Sequence, residues 1–173
     1  MSVIQPKLFK GAPRAKRIVG DGHDEHWHQA AFIRWVRETA RLQSDLAKRM
    51  ALEWLHSIPN GSYVYRTEAE RQQKGKRRAP RQALKLIDEG LTAGIWDLRL
   101  DYVIKDENNA VICSGLIIEM KMPGRYLSAE QKAYGEYMAQ QGFDLAICRE
   151  WKIAALRVVD YMELTSFAVI PNF

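Results

Sequence analysis

Glu119 and Lys121 stand two residues apart near the end of an apolar run, "LIIEMKMPG" (residues 116–124). In an extended chain, alternate side chains point to the same side. The carboxylate and the ammonium therefore project together, at a strand end where charge is costly. One reading is a same-face ion pair, worth about 0–1 kcal/mol if exposed. That reading does not explain why the pair ends an apolar strand. The other reading is chemical, and Asp97 supplies its third member. Asp97 lies in "IWDLRLDYVI" (95–104), where Leu98, Leu100 and Tyr102 alternate with Asp97, Arg99 and Asp101. A turn at "KDENNA" would fold this stretch against residues 111–122 and bring Asp97 beside Glu119. Two neighbouring carboxylates suit a hard divalent cation, Mg²⁺ or Mn²⁺, with waters completing its shell. Such an ion lets both acids stay charged and acidifies a bound water. Lys121 could orient that water or meet charge developing on a phosphate. The combination is chemistry for cutting a phosphodiester. Taken alone, Asp97 is equally well a solvated charge alternating with Arg99 and Asp101. A second Glu-x-Lys, Glu130 and Lys132, falls on a predicted helix, where side chains two apart diverge.

The elements that must hold these residues follow from periodicity. The chain has 173 residues, 47% of them apolar, enough for one domain with a core. Residues 1–22 show no period and contain Pro6, Gly11, Pro13, Gly20 and Gly22, so they read as a flexible basic arm. From 23 to 42, Trp27, Ala30, Ala31, Trp35 and Val36 recur at helical spacing. A second helix is predicted over 45–56, with Leu46, Met50, Leu52, Trp54 and Leu55 as its apolar members. Trp27, Trp35 and Trp54 are expected in the core or packed on the hairpin rather than stacked on bases. "IPNG" (58–61) breaks the pattern, and a short helix is predicted over 80–89. The period then changes to two for the hairpin. Ser128 opens a helix that Gly142 closes as a left-handed cap. "FDLAIC" (143–148) reads as a buried strand, and 151–163 as a last helix. The expectation is one α/β domain over residues 23–173, a small mixed sheet flanked by helices, with a basic insert at about 64–82.

The net charge is +5, and the excess is clustered. Lys7, Lys10, Arg14, Lys16 and Arg17 lie in the arm. Arg66, Arg71, Lys74, Lys76, Arg77, Arg78, Arg81 and Lys85 face only Glu68 and Glu70 between residues 66 and 85. Clusters of this kind attract phosphate backbones; a solvated basic loop is the alternative. No apolar run approaches the length of a membrane-spanning helix. Cys113 and Cys148, both in apolar strand-like runs, fit reduced thiols in the cytoplasm. "HDEHWH" (23–28) raises a zinc reading through His23, His26, His28 and Asp24. At helical spacing His26 and His28 diverge, and no distant cysteine or histidine completes a tetrahedron.

Five stretches, in order, carry a family resemblance: "EHWHQAAFIRWVR" (25–37), "IPNG" (58–61), "EGLTAGIWDL" (89–98), "GLIIEMKMPG" (115–124) and "LSAEQKAY" (127–134). Asp97 followed by a strand ending Glu119-Met120-Lys121 resembles the core of the PD-(D/E)XK nucleases. The whole resembles the short VRR-NUC domain of phage proteins and some repair nucleases. The resemblance implies a restriction-endonuclease-like core of αβββαβ order with extra N-terminal helices. It also implies metal ligation by Asp97, Glu119 and the main-chain carbonyl of Met120. An acidic position on the first helix falls on Glu25, which would bind a second ion or orient a water through one, and a glutamine of the later helix, the last catalytic position, falls on Gln131. Without the resemblance, Glu25 is a first-turn residue favoured by the helix dipole, and Gln131 is the far end of a capping box begun by Ser128. Trp96 stands where the family usually has proline.

The function implied is a Mg²⁺- or Mn²⁺-dependent DNA endonuclease. It would act on branched DNA, four-way junctions or flaps, as a homodimer in replication, recombination or repair. Arg66, Lys74, Lys76, Arg77, Arg78 and Arg81 would grip phosphates rather than read bases. The rival reading is a module of the same fold that binds nucleic acid without cutting it.

Overall fold

A computed structural model describes residues 23–58, 90 and 92–171. The basic arm, the basic insert with its six phosphate-gripping candidates, and the predicted helix over 80–89 lie outside the described residues.

The first helix, α1 (Glu25–Arg41), begins where the Asp24 carboxylate accepts the Trp27 N–H at 2.8 Å. Its buried residues include His28, Phe32, Trp35, Val36, Thr39 and Ala40, one stripe at helical spacing. Asp45 caps α2 (Leu46–Glu53) in the same way, accepting from Ala47 and Lys48. This helix is shorter than its sequence pattern suggests. Leu52 and Leu55 are buried, but Leu46 and Met50 are exposed and Trp54 is 71% exposed. The chain leaves the helix at Trp54 to enter a two-residue strand, β1 (His56–Ser57), which turns the indole away from the core.

The period-two region gives β2 (Leu98–Leu100), β3 (Ile104–Lys105), β4 (Val111–Cys113) and β5 (Gly115–Met120). The expected continuous hairpin is two ladders. β3 and β4 pair on their own, while β2 pairs antiparallel with β5 in a four-stranded sheet ordered β1-β2-β5-β6. The break falls at Asp101–Val103. There the Tyr161 hydroxyl donates to the Tyr102 carbonyl at 2.6 Å, satisfying a group that would otherwise seek a ladder partner. From β5 the chain passes through α3 (Ala129–Gln140) to β6 (Phe143–Cys148), parallel to β5, and on to the last helix, α4 (Trp151–Met162). The parallel step needs such a crossover.

Leu98, Leu100, Leu116, Ile118 and Met120 are buried in one core cluster with Phe32, Trp35 and Val36 of α1 and Ala154, Ala155 and Val158 of α4. Fully burying one of the larger aliphatic side chains or Phe32 contributes about 1.5–3 kcal/mol. Ile117 turns the other way, to Trp96 and Met138 of α3. Here α3 approaches closely. A Cβ added at Gly135 would meet the Trp96 ring at 2.8 Å. Gly135→Ala should therefore lower stability by about 1–2 kcal/mol in urea unfolding, overpacking outweighing alanine's better helix propensity.

Candidate active site

The β2–β5 register sets Leu98 opposite Ile118 and Leu100 opposite Leu116. Continued by one residue, it brings Asp97 opposite Glu119. Two backbone contacts fix the pair. The Met120 N–H donates to Asp97 Oδ2 at 2.9 Å, and the Asp97 N–H donates to Glu119 Oε2 at 3.3 Å. On the other side of Asp97, β1 is extended by the Ile58 N–H, which donates to the Asp97 carbonyl at 2.8 Å. The residue is held from both flanking strands.

Glu119 is fully buried. Its Oε1 takes the Lys121 Nζ at 2.5 Å and also the Gln131 side-chain amide. Gln131 Oε1 accepts the Ser128 N–H at 3.1 Å, completing the capping box of α3. That bond orients the amide, so Nε2 must face Glu119. Capping and contact with the site are therefore one arrangement. Trp96, directly before Asp97, donates its indole N–H to the Gln131 carbonyl at 2.8 Å and ties α3 to the same corner. An indole can make this contact and a proline cannot.

Glu25 comes from the first turn of α1. Its carboxylate accepts the Met122 N–H and lies in the field of Lys121, Asp97 and Arg125. Burial first, and the charge of Asp97, push its pKa above the ordinary value. Burial and the Asp97 charge likewise push Glu119 up to about 7, against the opposing pull of Lys121. Burial acts to lower the Lys121 pKa, but Glu119, Glu25 and Asp97 carry it above the ordinary value. All three shifts have one sense: burial, then the Asp97 charge, raises the two glutamates, and the carboxylates raise the half-buried ammonium. The corner is also short of positive charge.

That shortage, met by oxygen donors, fits a divalent cation. Mg²⁺ is commonly held by one or two carboxylates, with waters and substrate phosphates supplying the rest. Asp97 and Glu119 are two carboxylates that would meet that need. No three His, Cys, Asp or Glu side chains cluster closely enough to hold a metal among the described residues, so Glu25 stands outside the immediate pair. The histidines form no zinc set either. His23 stacks on Trp27 at 3.6 Å, His26 is exposed, and His28 is buried with Nδ1 accepting the Trp151 N–H at 3.4 Å. Cys113 and Cys148 are free thiols.

The fold among the described residues is a mixed α/β one, a small mixed sheet with four helices. Its site is a carboxylate pair with an attached lysine on adjacent strands. No protein-family model matches the sequence, and no curated protein matches it. The fold is similar to that of a solved VRR_NUC domain protein, with a TM-score of 0.56 and 20% identity over 88% of this chain and 98% of that one. No helix among the described residues is long and apolar enough to cross a membrane.

Proposed function

We propose that the chain is a Mg²⁺- or Mn²⁺-dependent DNA endonuclease with a PD-(D/E)XK core of αβββαβ order. What carries the reading is the Asp97–Glu119 pair, locked across two strands with Lys121 on Glu119, within a fold like that of a VRR_NUC domain protein. Asp97, Glu119 and the Met120 carbonyl would hold the cation. When bound, the ion supplies a Lewis acid that makes a water nucleophilic near neutral pH.

The chain's own groups divide the remaining work. Lys121 keeps its proton at pH 7, because its pKa is raised. It therefore acts as a hydrogen-bond donor and positive charge, not as a base. Its role is to orient the attacking water and oppose charge growing on the phosphate. Gln131 fixes the Glu119 rotamer through α3's own cap, so the carboxylate needs no reordering when substrate arrives. Glu25 would bind a second ion or orient a water through one, at the outer edge. In-line attack leaves a 5′-phosphate and a 3′-hydroxyl. Arg66, Lys74, Lys76, Arg77, Arg78 and Arg81 add phosphate affinity without base reading. Branched DNA, four-way or flapped, is the proposed substrate and a homodimer the proposed assembly, acting in replication, recombination or repair in the cytoplasm, as in a phage-infected cell.

The test offers purified protein linear duplex, single-stranded, flapped and four-way DNA, with Mg²⁺, Mn²⁺ or chelator. Metal-dependent cutting of the branched forms is expected; binding without cutting in either metal would leave a binding module. Glu25→Gln, tested alongside, should slow cleavage about 10–100-fold, as outer-shell changes do, with the helix intact. An unchanged rate would remove Glu25 from the site.

A further inference from the structure

The loop from β5 to α3 carries a tyrosine that the fold does not use. Tyr126 is 84% exposed. An exposed aromatic ring gains nothing from the core, yet its loop is firmly braced. The Lys121 N–H donates to the Cys148 carbonyl at 2.8 Å, and the Arg125 N–H closes a turn on the Met122 carbonyl at 3.0 Å. From the end of β6, the Arg149 guanidinium donates to the carbonyls of Met122 and Arg125, at 3.1 and 3.4 Å. Gly124, at φ +81°, permits the reversal. Three successive backbone anchors hold a ring that itself faces solvent.

The ring stands on the rim of an open depression. Glu25, His26, Lys121, Met122 and Arg125 also line it. One wall is thus the edge of the carboxylate–lysine site, and the other carries Tyr126 and Arg125. A base stacks on an aromatic face whatever its sequence, and a guanidinium pairs with phosphate oxygens. The two together suit a nucleotide.

We propose that Tyr126 stacks on a nucleobase adjoining the phosphate that is cut, with Arg125 on the neighbouring phosphate, and so selects strands in which that base is unpaired. A base inside continuous duplex has both faces covered by its neighbours, whereas a base at a branch, gap or strand end can offer one. The inference rests on the nuclease reading for the position of the cut, while the stacking itself can be measured without cleavage.

The experiment uses the full chain in Ca²⁺ buffer, with flapped DNA and plain duplex carrying 2-aminopurine at successive positions along one strand. The parent and Tyr126→Phe should quench the probe at one unpaired position of the flap. Tyr126→Ala should lose that quenching and bind the flap about 5–150-fold more weakly, the range spanned by base–aromatic stacking. All three proteins should bind plain duplex alike. Equal flap binding and quenching by the parent and Tyr126→Ala would overturn the proposal. So would an equal loss on flap and duplex, which marks a structural role, or no flap binding by the parent. Cleavage in Mg²⁺ is scored separately. Quenching without cutting would sink the nuclease reading alone, and cutting without a Tyr126 effect would sink the stacking alone.

Discussion

Asp97→Asn should abolish cleavage, a loss of at least about 100-fold, in a protein that still folds. The asparagine oxygen can accept the Met120 N–H that Asp97 Oδ2 now takes at 2.9 Å, so the strand pairing has no reason to open. What disappears is one negative charge beside Glu119. That charge is, after burial, the second cause holding the Glu119 pKa up. In the variant Glu119 should therefore titrate at lower pH than in the parent, which carboxylate carbon NMR on metal-free protein would resolve. The two measurements belong together. Loss of cleavage with an unmoved Glu119 titration would mean that the carboxylates do not share a field and that the variant fails for another reason. Near-parental cleavage would remove Asp97 from the chemistry.

Much of this corner was legible because strands write their geometry into the sequence at a period of two. The alternation through Leu98 and Leu100 set the face of Asp97, and the two-residue spacing from Glu119 to Lys121 put those two side chains on one side. A turn between the two stretches was enough to bring Asp97 and Glu119 together. What the alternation did not show is where pairing stops. It runs on through Tyr102, but the Tyr102 carbonyl is taken by Tyr161, 59 residues on in the chain, and no local pattern announces that. β1 has two residues, too few for any period. It exists because His56 and Ser57 find Arg99 and Leu98. Trp54 illustrates the opposite error. It continues an apolar stripe, but the helix ends there and the chain's exit points the ring outward. Gln131 read equally well as a cap and as a site residue, because one amide has two ends and here uses both. Arg149 and Tyr126 carried no sequence signal. Their meaning depends on β6 ending beside the β5–α3 loop.

The second large effect concerns stability. In metal-free protein, Glu119→Gln should gain on the parent as pH rises. The ordinary carboxyl value is 4.5, and burial with the Asp97 charge brings folded Glu119 to about 7. Between those values the unfolded chain has released its proton while the folded protein keeps it. Unfolding then releases a proton, so stability falls as pH rises, and the fall is complete once pH passes about 7. The full loss is about 3 kcal/mol. Glutamine has nothing to titrate, so the variant escapes this loss. Its own costs are constant with pH: the new NH₂ would face the Asp97 N–H, a donor against a donor, in place of the present Glu119 Oε2 contact. Those costs set the offset between the two curves and not their slopes. Urea unfolding of both proteins in chelator at pH 5, 6, 7 and 8 would separate slope from offset. Parallel curves would mean that Glu119 is charged throughout and that Lys121 alone satisfies it. Diverging curves would give the site a measurable shortage of positive charge at pH 8. Mg²⁺ added at that pH should then restore stability to the parent and little to the variant, since an ion bound only by the folded state stabilises it by mass action. This last comparison joins the thermodynamics to the proposed chemistry. The carboxylate that weakens the empty fold above pH 7 is the one that a bound cation would turn into a stabilising ligand.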